Sequence, residues 1–372
     1  MNVPFYDSSR EYKILKKEFD KAVCDVIESG AFILGKQVND FEEAVCGYTG
    51  AKYAVGVANG SDALLIASDI LGFKQGTEIL TPVFTFFASA SCIARTGGKP
   101  VLCDVDEDTF CINPEDAEKR ITEKTRGIIP VHLFLQTADM SSCMELAKKY
   151  NLSVLEDAAE AFGMKTMFNN GYEHAGLTGD FGIFSFFPTK TLGGYGDGGM
   201  IVTNDEDLYR KAKSYRTHGS LKKYHHDFIG YNSRLDTLQA AILNVKLSHI
   251  EDAIKKRSEN AAVYRENLKD VCEIKMPVIK ANKREVYYVF CVKAEKRDAL
   301  HEYLNSNGIG TSIYYPVPMH LQKCFDYLGY KEGDFPAAEK LCKTVLALPM
   351  FPELTEDEII FVCDKIKEFY GK

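Results

Sequence analysis

Ser185-Phe186-Phe187-Pro188-Thr189-Lys190-Thr191-Leu192-Gly193-Gly194-Tyr195-Gly196-Asp197-Gly198-Gly199 sets one lysine after a proline and ahead of a glycine-rich run, between the apolar stretches 181–187 and 200–202. Lysine is seldom buried, because its ammonium is strongly hydrated. Between two core strands Lys190 has two explanations. Its amine is made nucleophilic and forms a Schiff base with an aldehyde cofactor, or it is a solvated turn residue of a hairpin. The segment alone leaves both open. Gly194, Gly196 and Gly199 also satisfy G-x-G-x-x-G, but that dinucleotide fingerprint needs a helix directly after it. Met200-Ile201-Val202-Thr203 is apolar and β-branched and reads as a strand, so the nicotinamide reading fails on context.

Upstream of the lysine, strands are expected at 53–58, 78–81, 100–105, 127–131 and 153–155, with helices at 63–71, 85–95, 114–121 and 139–150 between them. This rhythm implies a mostly parallel sheet covered by helices, with ligands at the carboxyl ends of the strands. Asn59-Gly60-Ser61-Asp62 follows the first strand. Such a turn offers backbone N–H groups and a hydroxyl at a helix N-terminus, where an anion binds without a basic side chain. Ser61 or Asp62 acting only as an N-cap explains the turn equally well. After strand 78–81 comes Thr85-Phe86-Phe87, an aromatic pair able either to lie flat on a ligand ring or to fill the core. After strand 153–155 comes Glu156-Asp157-Ala158-Ala159-Glu160. A carboxylate ending a buried strand is costly unless paired. A protonated ring nitrogen is a suitable partner, and a helix-capping acid is the plainer alternative.

At the start, an amphipathic helix at 10–29 carries Leu15, Phe19, Val23 and Ile27 every four residues, and a second helix is expected at 37–48. Between them 30–36 imitates a P-loop, but Gln37 replaces the magnesium-binding hydroxyl and a helix precedes it, so it reads as a loop. Beyond the lysine, helix 205–215 leads into a basic loop, Thr217 to His226. His225 and His226 are neighbours pointing apart with no third ligand in view, so no metal is expected. From Ile229 the pattern enters one long helix running through Leu268. A smaller α+β unit follows, with strands at 286–292 and 310–315, a helix at 298–307, and the capping box Thr355-Glu356-Asp357-Glu358 opening the last helix.

A chain of 372 residues is too long for one core, and two domains are expected, 1–250 and 251–372. With 45% hydrophobic and 26% charged residues it has the balance of a soluble globular protein. A net charge of −8 argues against nucleic acid or an anionic membrane as partner. The eleven cysteines form no C-x-x-C pair, so neither a zinc site nor a disulfide framework is indicated. No secretory n-region opens the chain and no apolar run approaches the ~20 residues that span a bilayer. A reducing, cytoplasmic setting is expected.

Taken in order, Asn59-Gly60-Ser61-Asp62-Ala63, Glu156-Asp157-Ala158-Ala159-Glu160, the segment from Ser185 to Lys190, Gly196-Asp197-Gly198-Gly199 and Asn232-Ser233-Arg234-Leu235-Asp236-Thr237-Leu238-Gln239-Ala240-Ala241 resemble the DegT/DnrJ/EryC1/StrS sugar aminotransferases. The resemblance spans essentially the whole chain. It implies an α/β fold of the pyridoxal phosphate fold type I class: a large domain with a mostly parallel sheet and a smaller C-terminal α+β domain. Lys190 would hold pyridoxal 5'-phosphate and then move the proton, which requires it to be partly deprotonated through desolvation and a nearby ring cation. Asp157 would pair with the pyridine nitrogen. Gly60, Ser61 and Ser185 would hold the phosphate, Phe86 would stack on the ring, and Glu160 would lie beside the phenolic oxygen, where many relatives have Gln or His. Asn232 would reach the cofactor of the neighbouring subunit in a homodimer with shared sites. Arg234, Tyr314, Tyr315 and His320 would face the nucleotide sugar.

The activity so implied is transfer of an amino group from glutamate to the ketone of a nucleotide-linked keto-sugar. Lys223-Tyr224-His225-His226 ahead of Asn232-Ser233-Arg234 resembles the branch acting at C3; action at C4 is the alternative. A dehydrating relative would carry His in place of Lys190. The rival of another class is a noncatalytic ligand-binding or regulatory protein on the same scaffold. His132-Leu133-Phe134-Leu135-Gln136-Thr137 and Tyr314 depart from the family pattern and bear on substrate contacts.

Overall fold

The alternation of the sequence folds into strands β1 (Tyr53–Val57), β2 (Glu78–Pro82), β3 (Lys99–Cys103), β4 (Thr125–Ile128) and β5 (Ser153–Asp157). After a hairpin of β6 (Lys165–Phe168) and β7 (Gly171–His174) come β8 (Phe181–Ser185) and β9 (Gly199–Thr203). These strands belong to a computed structural model that describes residues 1–168, 171–222, 224–281 and 283–372. The central sheet runs β1-β9-β8-β5-β4-β2-β3. Only β9 is antiparallel to its neighbours; the remaining pairs are parallel. Parallel strands demand crossover helices on both faces, and the middles of β8 and β9 are accordingly apolar: Ile183, Phe184, Met200, Ile201 and Val202 are all buried. Pro100, which cannot donate to a ladder, is tolerated because β3 is an edge strand.

A smaller sheet, β10 (Ile274–Lys275), β12 (Phe290–Ala294) and β13 (Val345–Leu348), is antiparallel throughout, while β11 (Lys283–Arg284) joins the β6–β7 hairpin. The expected helix through Leu268 is two helices, Thr237–Ser248 and Ile250–Leu268, broken at His249. The break is a helix start of its own, with Glu251 and Asp252 in the first turn, where acids favour the positive end of the dipole. The expected strand at 310–315 is not a strand. Ser312 makes one isolated bridge to Ala347, and Tyr314 and Tyr315 turn instead into an aromatic cluster with Phe84 and Phe134. The N-terminus closes this region: Val3 N donates to the Gly308 carbonyl and Gly310 N to that of Val3, each at 2.8 Å.

His174, at the end of β7, is buried among Tyr48, Phe162 and Phe184. Gly163 N donates to its Nε2 at 2.8 Å, so Nδ1 carries the proton and donates to the Ala175 carbonyl at 2.7 Å. Burial outweighs the opposing bond to the Ala175 carbonyl and, with Lys165 and Arg284 also lowering it, depresses its pKa to about 4. The unfolded chain therefore takes up a proton near pH 6.5 that the fold refuses until about 4. The stabilisation from neutral His174 is full above 6.5 and falls with decreasing pH, by about 2 kcal/mol between pH 7 and 5. Urea unfolding of His174→Gln at the two pH values should show that much less pH dependence than wild type.

Candidate active site

The carboxyl ends of β5 and β8 and the turn after β1 converge on a cleft of about 740 Å³, a size that suits a cofactor or small molecule. Gly60, Ser61, Phe86, Asp157, Glu160, Ser185, Lys190, Tyr314 and Tyr315 all line it. Nine of the expected site residues thus come together from five separate segments.

Each is placed by local structure. Asn59 caps the helix Gly60–Ile70 by accepting from Asp62 N at 2.8 Å. The cap is therefore Asn59, not Ser61 or Asp62, which frees the Ser61 hydroxyl for the cleft. The first helical N–H groups lack intrahelical partners and face an incoming anion. Gly60 permits this approach: a Cβ there would meet Ser185 Cβ at 2.8 Å. The helix expected at 85–95 begins at Phe87 (Phe87–Arg95), leaving Phe86 as its N-cap with a ring 58% exposed at the cleft.

Asp157 is 4% exposed. Its Oδ2 accepts from Ser89 Oγ at 2.6 Å and its Oδ1 from Ala159 N at 3.2 Å. Burial raises its pKa despite these donors and Lys190 nearby. A buried carboxylate with two neutral donors is short of a counter-charge. Its neighbour Glu156 is the opposite case. Glu156 is fully buried but accepts from His132 Nε2 (2.8 Å), Gly176 N (2.9 Å), Thr178 N (2.7 Å) and Gly179 N (2.7 Å). His132 Nδ1 takes the Ala138 N–H, which leaves Nε2 as donor. Burial pushes the Glu156 pKa up, yet these donors outweigh it and the net shift is down. Glu156 is a structural knot, and Asp157 is the carboxylate left over for a ligand.

Lys190 does not sit in a solvated turn. Its Nζ lies 3.1 Å from Glu160 Oε1 and 4.3 Å from the centre of the Tyr288 ring. Burial lowers its pKa, but Glu160, Tyr288 and Asp157 together outweigh that, and the net direction is upward. Desolvation alone therefore does not deprotonate Lys190, and the expected partial deprotonation rests on the positive charge of a ring cation. Thr189 Oγ1 and Tyr288 OH are 3.1 Å apart, and Tyr6 OH donates to the Pro188 carbonyl at 2.7 Å. The lysine loop is thereby tied to both the N-terminal segment and the smaller sheet.

Three expected residues lie elsewhere. His320 is 2% exposed, hydrogen-bonded to Glu339 at 3.0 Å and packed on Phe335. It supports the helix Pro336–Thr344 and does not face the cleft, which corrects the expected substrate contact. Asn232 is exposed and Arg234 half-buried, both outside the cleft of their own chain. Lys223 of the basic loop lies outside the described residues. Ser89 and Tyr288 were missed. Neither has a sequence signal, since each acts through a partner more than sixty positions away. Among the described residues no three metal-ligating side chains converge, and no helix is long and apolar enough to cross a membrane.

The model of the DegT/DnrJ/EryC1/StrS aminotransferase family matches residues 13–367. The chain belongs to that family. It is 47% identical, over all of its length and 99% of the relative's, to a pleiotropic regulatory protein of Geobacillus stearothermophilus. It is 40% identical, over 98% of its length and 97% of the relative's, to a UDP-N-acetyl-3-dehydro-alpha-D-glucosamine 3-aminotransferase of Acidithiobacillus ferrooxidans. The fold matches the crystal structure of Streptomyces venezuelae DesV in complex with a ketimine intermediate at a TM-score of 0.95, with 37% identity over 100% of this chain and 99% of that one. The expected α/β fold type I architecture is therefore that of the chain, and pyridoxal phosphate is its cofactor. The donor set fits that group. The unpaired buried carboxylate of Asp157 suits a ring N–H, the helix N-terminus with Ser61 and Ser185 suits a phosphate, and a single lysine amine faces both.

Proposed function

We propose that this chain transfers an amino group to the C3 ketone of a nucleotide-linked keto-sugar, with glutamate as donor. The observation that carries the reading is Lys190 Nζ set between Glu160 and Tyr288 in one cleft with Asp157, in a chain similar over nearly its whole length to a 3-aminotransferase of UDP-sugars. Bound pyridoxal phosphate supplies an aldehyde that condenses with amines and a ring that withdraws electrons. The protein's part is to hold and move charge around it. Asp157 would anchor the ring nitrogen and keep it protonated; Gly60, Ser61 and Ser185 would hold the phosphate; Phe86 would present a flat face. Lys190 would hold the cofactor through Nζ and, as the free amine, would carry the proton there. Tyr314 and Tyr315 wall the opposite side; burial pushes the Tyr314 phenol up to about 12, so it donates as a neutral hydroxyl.

The active unit in this reading is a cytoplasmic homodimer. Asn232, exposed and outside its own cleft, would complete the partner's cofactor site, and Arg234 of the same segment would clamp an anionic group of the substrate. The domain division falls near residue 250. The helix Thr237–Ser248 packs on the helices Ser8–Ser29 and Lys36–Thr49, whereas Ile250–Leu268 packs on Glu356–Tyr370. A purely regulatory role, suggested by the name of the Geobacillus relative, gives no reason to bury Lys190 and Asp157 at the cost of desolvation. Parallel assays with UDP- and dTDP-linked 3-oxo and 4-oxo sugars decide the regiochemistry. NMR should show an amino group at C3; efficient amination of the 4-oxo sugars alone would overturn C3 and leave the cofactor assignment standing.

A further inference from the structure

The surroundings of Lys190 hold more acceptors than a bare nucleophile needs. Glu160 Oε1 is 3.1 Å from Nζ, while Glu160 Oε2 accepts from Phe134 N at 3.0 Å. That second bond pins the carboxylate from the far side, so it does not swing away from the amine. On another side the Tyr288 ring lies 4.3 Å from Nζ, inside the range where a ring face attracts a cation. The ring is itself fixed, because its hydroxyl meets Thr189 Oγ1 at 3.1 Å. Glu160 follows β5, Tyr288 precedes β12, and Lys190 lies in the β8–β9 loop, so three separate elements build the contact. Asp157, Asp197, Tyr314 and Tyr315 share the cleft. Among all these described neighbours none is a cation.

We propose that Glu160 and Tyr288 form a cation cage that holds a proton on the Lys190 nitrogen, both when the amine is free and when it is bonded to the cofactor. The two are positioning residues that act through Lys190. This deepens the reading of the site as a cofactor-binding lysine and rests on it. The consequence is a reaction cycle in which the displaced amine keeps its proton at a fixed place, ready to deliver it as a general acid. Delivering that proton to the substrate leaves Nζ neutral and able to act as the base.

The test is the visible absorption of the purified cofactor-loaded enzyme as a function of pH, because protonation of the lysine–cofactor bond sets its colour. Glu160→Gln is close to isosteric and still accepts from Phe134 N, so it removes charge and little else. Its protonated band should be lost at a pH lower than in wild type by about one unit or more, the usual effect of an opposite charge at this range. Glu160→Asp, which restores the charge, should recover part of that shift. Tyr288→Leu, which removes the ring face, should shift it in the same direction by less. A purely structural role would change thermal stability and leave the transition in place. If Glu160→Gln keeps the band to the same pH as wild type, the proposal is overturned. Should Glu160→Gln not fold, an unmoved transition in Tyr288→Leu overturns it equally. A wild-type protein with no visible band would instead sink the cofactor-binding reading of Lys190, and the cage with it.

Discussion

Lys190→Ala should lose the yellow colour of the bound cofactor and reduce amination by about 10³-fold or more, since one residue supplies both the nucleophile and the proton carrier. Alanine also strands the Glu160 carboxylate, which is 6% exposed and otherwise bonded only to Phe134 N. Removing one member of a buried ion pair costs about 3–5 kcal/mol, so inactivity of this variant alone would not separate chemistry from folding. Lys190→Arg makes the separation. Its guanidinium retains the charge opposite Glu160 but stays protonated and cannot act as a nucleophile. The expected result is a stably folded, colourless and inactive Arg variant. Borohydride reduction of the wild type, followed by peptide mapping, should place the cofactor on Lys190. A label on Lys165, on the hairpin strand β6, would refute the assignment.

How far such a site was legible in the sequence differs residue by residue. Lys190, Asp157 and the Gly60-Ser61 turn were legible because each is locally anomalous. A lysine between apolar strands, a carboxylate at a strand end and small residues ahead of a helix all violate what a plain core would contain. The strand–helix rhythm was legible for the same local reason, and β1 to β5 fall within two or three residues of expectation. Ser89 and Tyr288 are ordinary residues in ordinary segments, and only the crossover topology brings one to Asp157 and the other to Lys190. His320 shows the converse failure. The family resemblance put it at the cleft, but Glu339, nineteen residues on, captures the ring. The segment 310–315 has strand-like composition, yet its tyrosines gain more from Phe84 and Phe134 than from a ladder. In each case a long-range partner overrode a local pattern.

That contrast sharpens around Asp157, the carboxylate left short of a counter-charge. Asp157→Asn should cut turnover by on the order of 10²–10³-fold, the usual effect of deleting one preorganised electrostatic contact to the reacting group. It should also weaken retention of the cofactor, because a neutral amide no longer favours a protonated ring nitrogen. The effect on the fold should have the opposite sign. Burial raises the Asp157 pKa, so above its unfolded pKa the ionised form is held at a cost that Asn avoids. Asn keeps an acceptor for Ala159 N or Ser89 Oγ and fills the same volume. Protein stripped of cofactor should therefore unfold in urea at a midpoint equal to or above that of wild type, while the loaded variant loses the extra stability that bound ligand confers. The same substitution at Glu156 should behave differently, since two donors meet each carboxylate oxygen and an amide keeps only one of those two acceptors. Glu156→Asn or Gln destabilises the fold whether or not cofactor is bound. An Asp157→Asn protein that is as active as wild type, or that is destabilised in the stripped form like a Glu156 variant, would show that Asp157 serves the fold and not the cofactor.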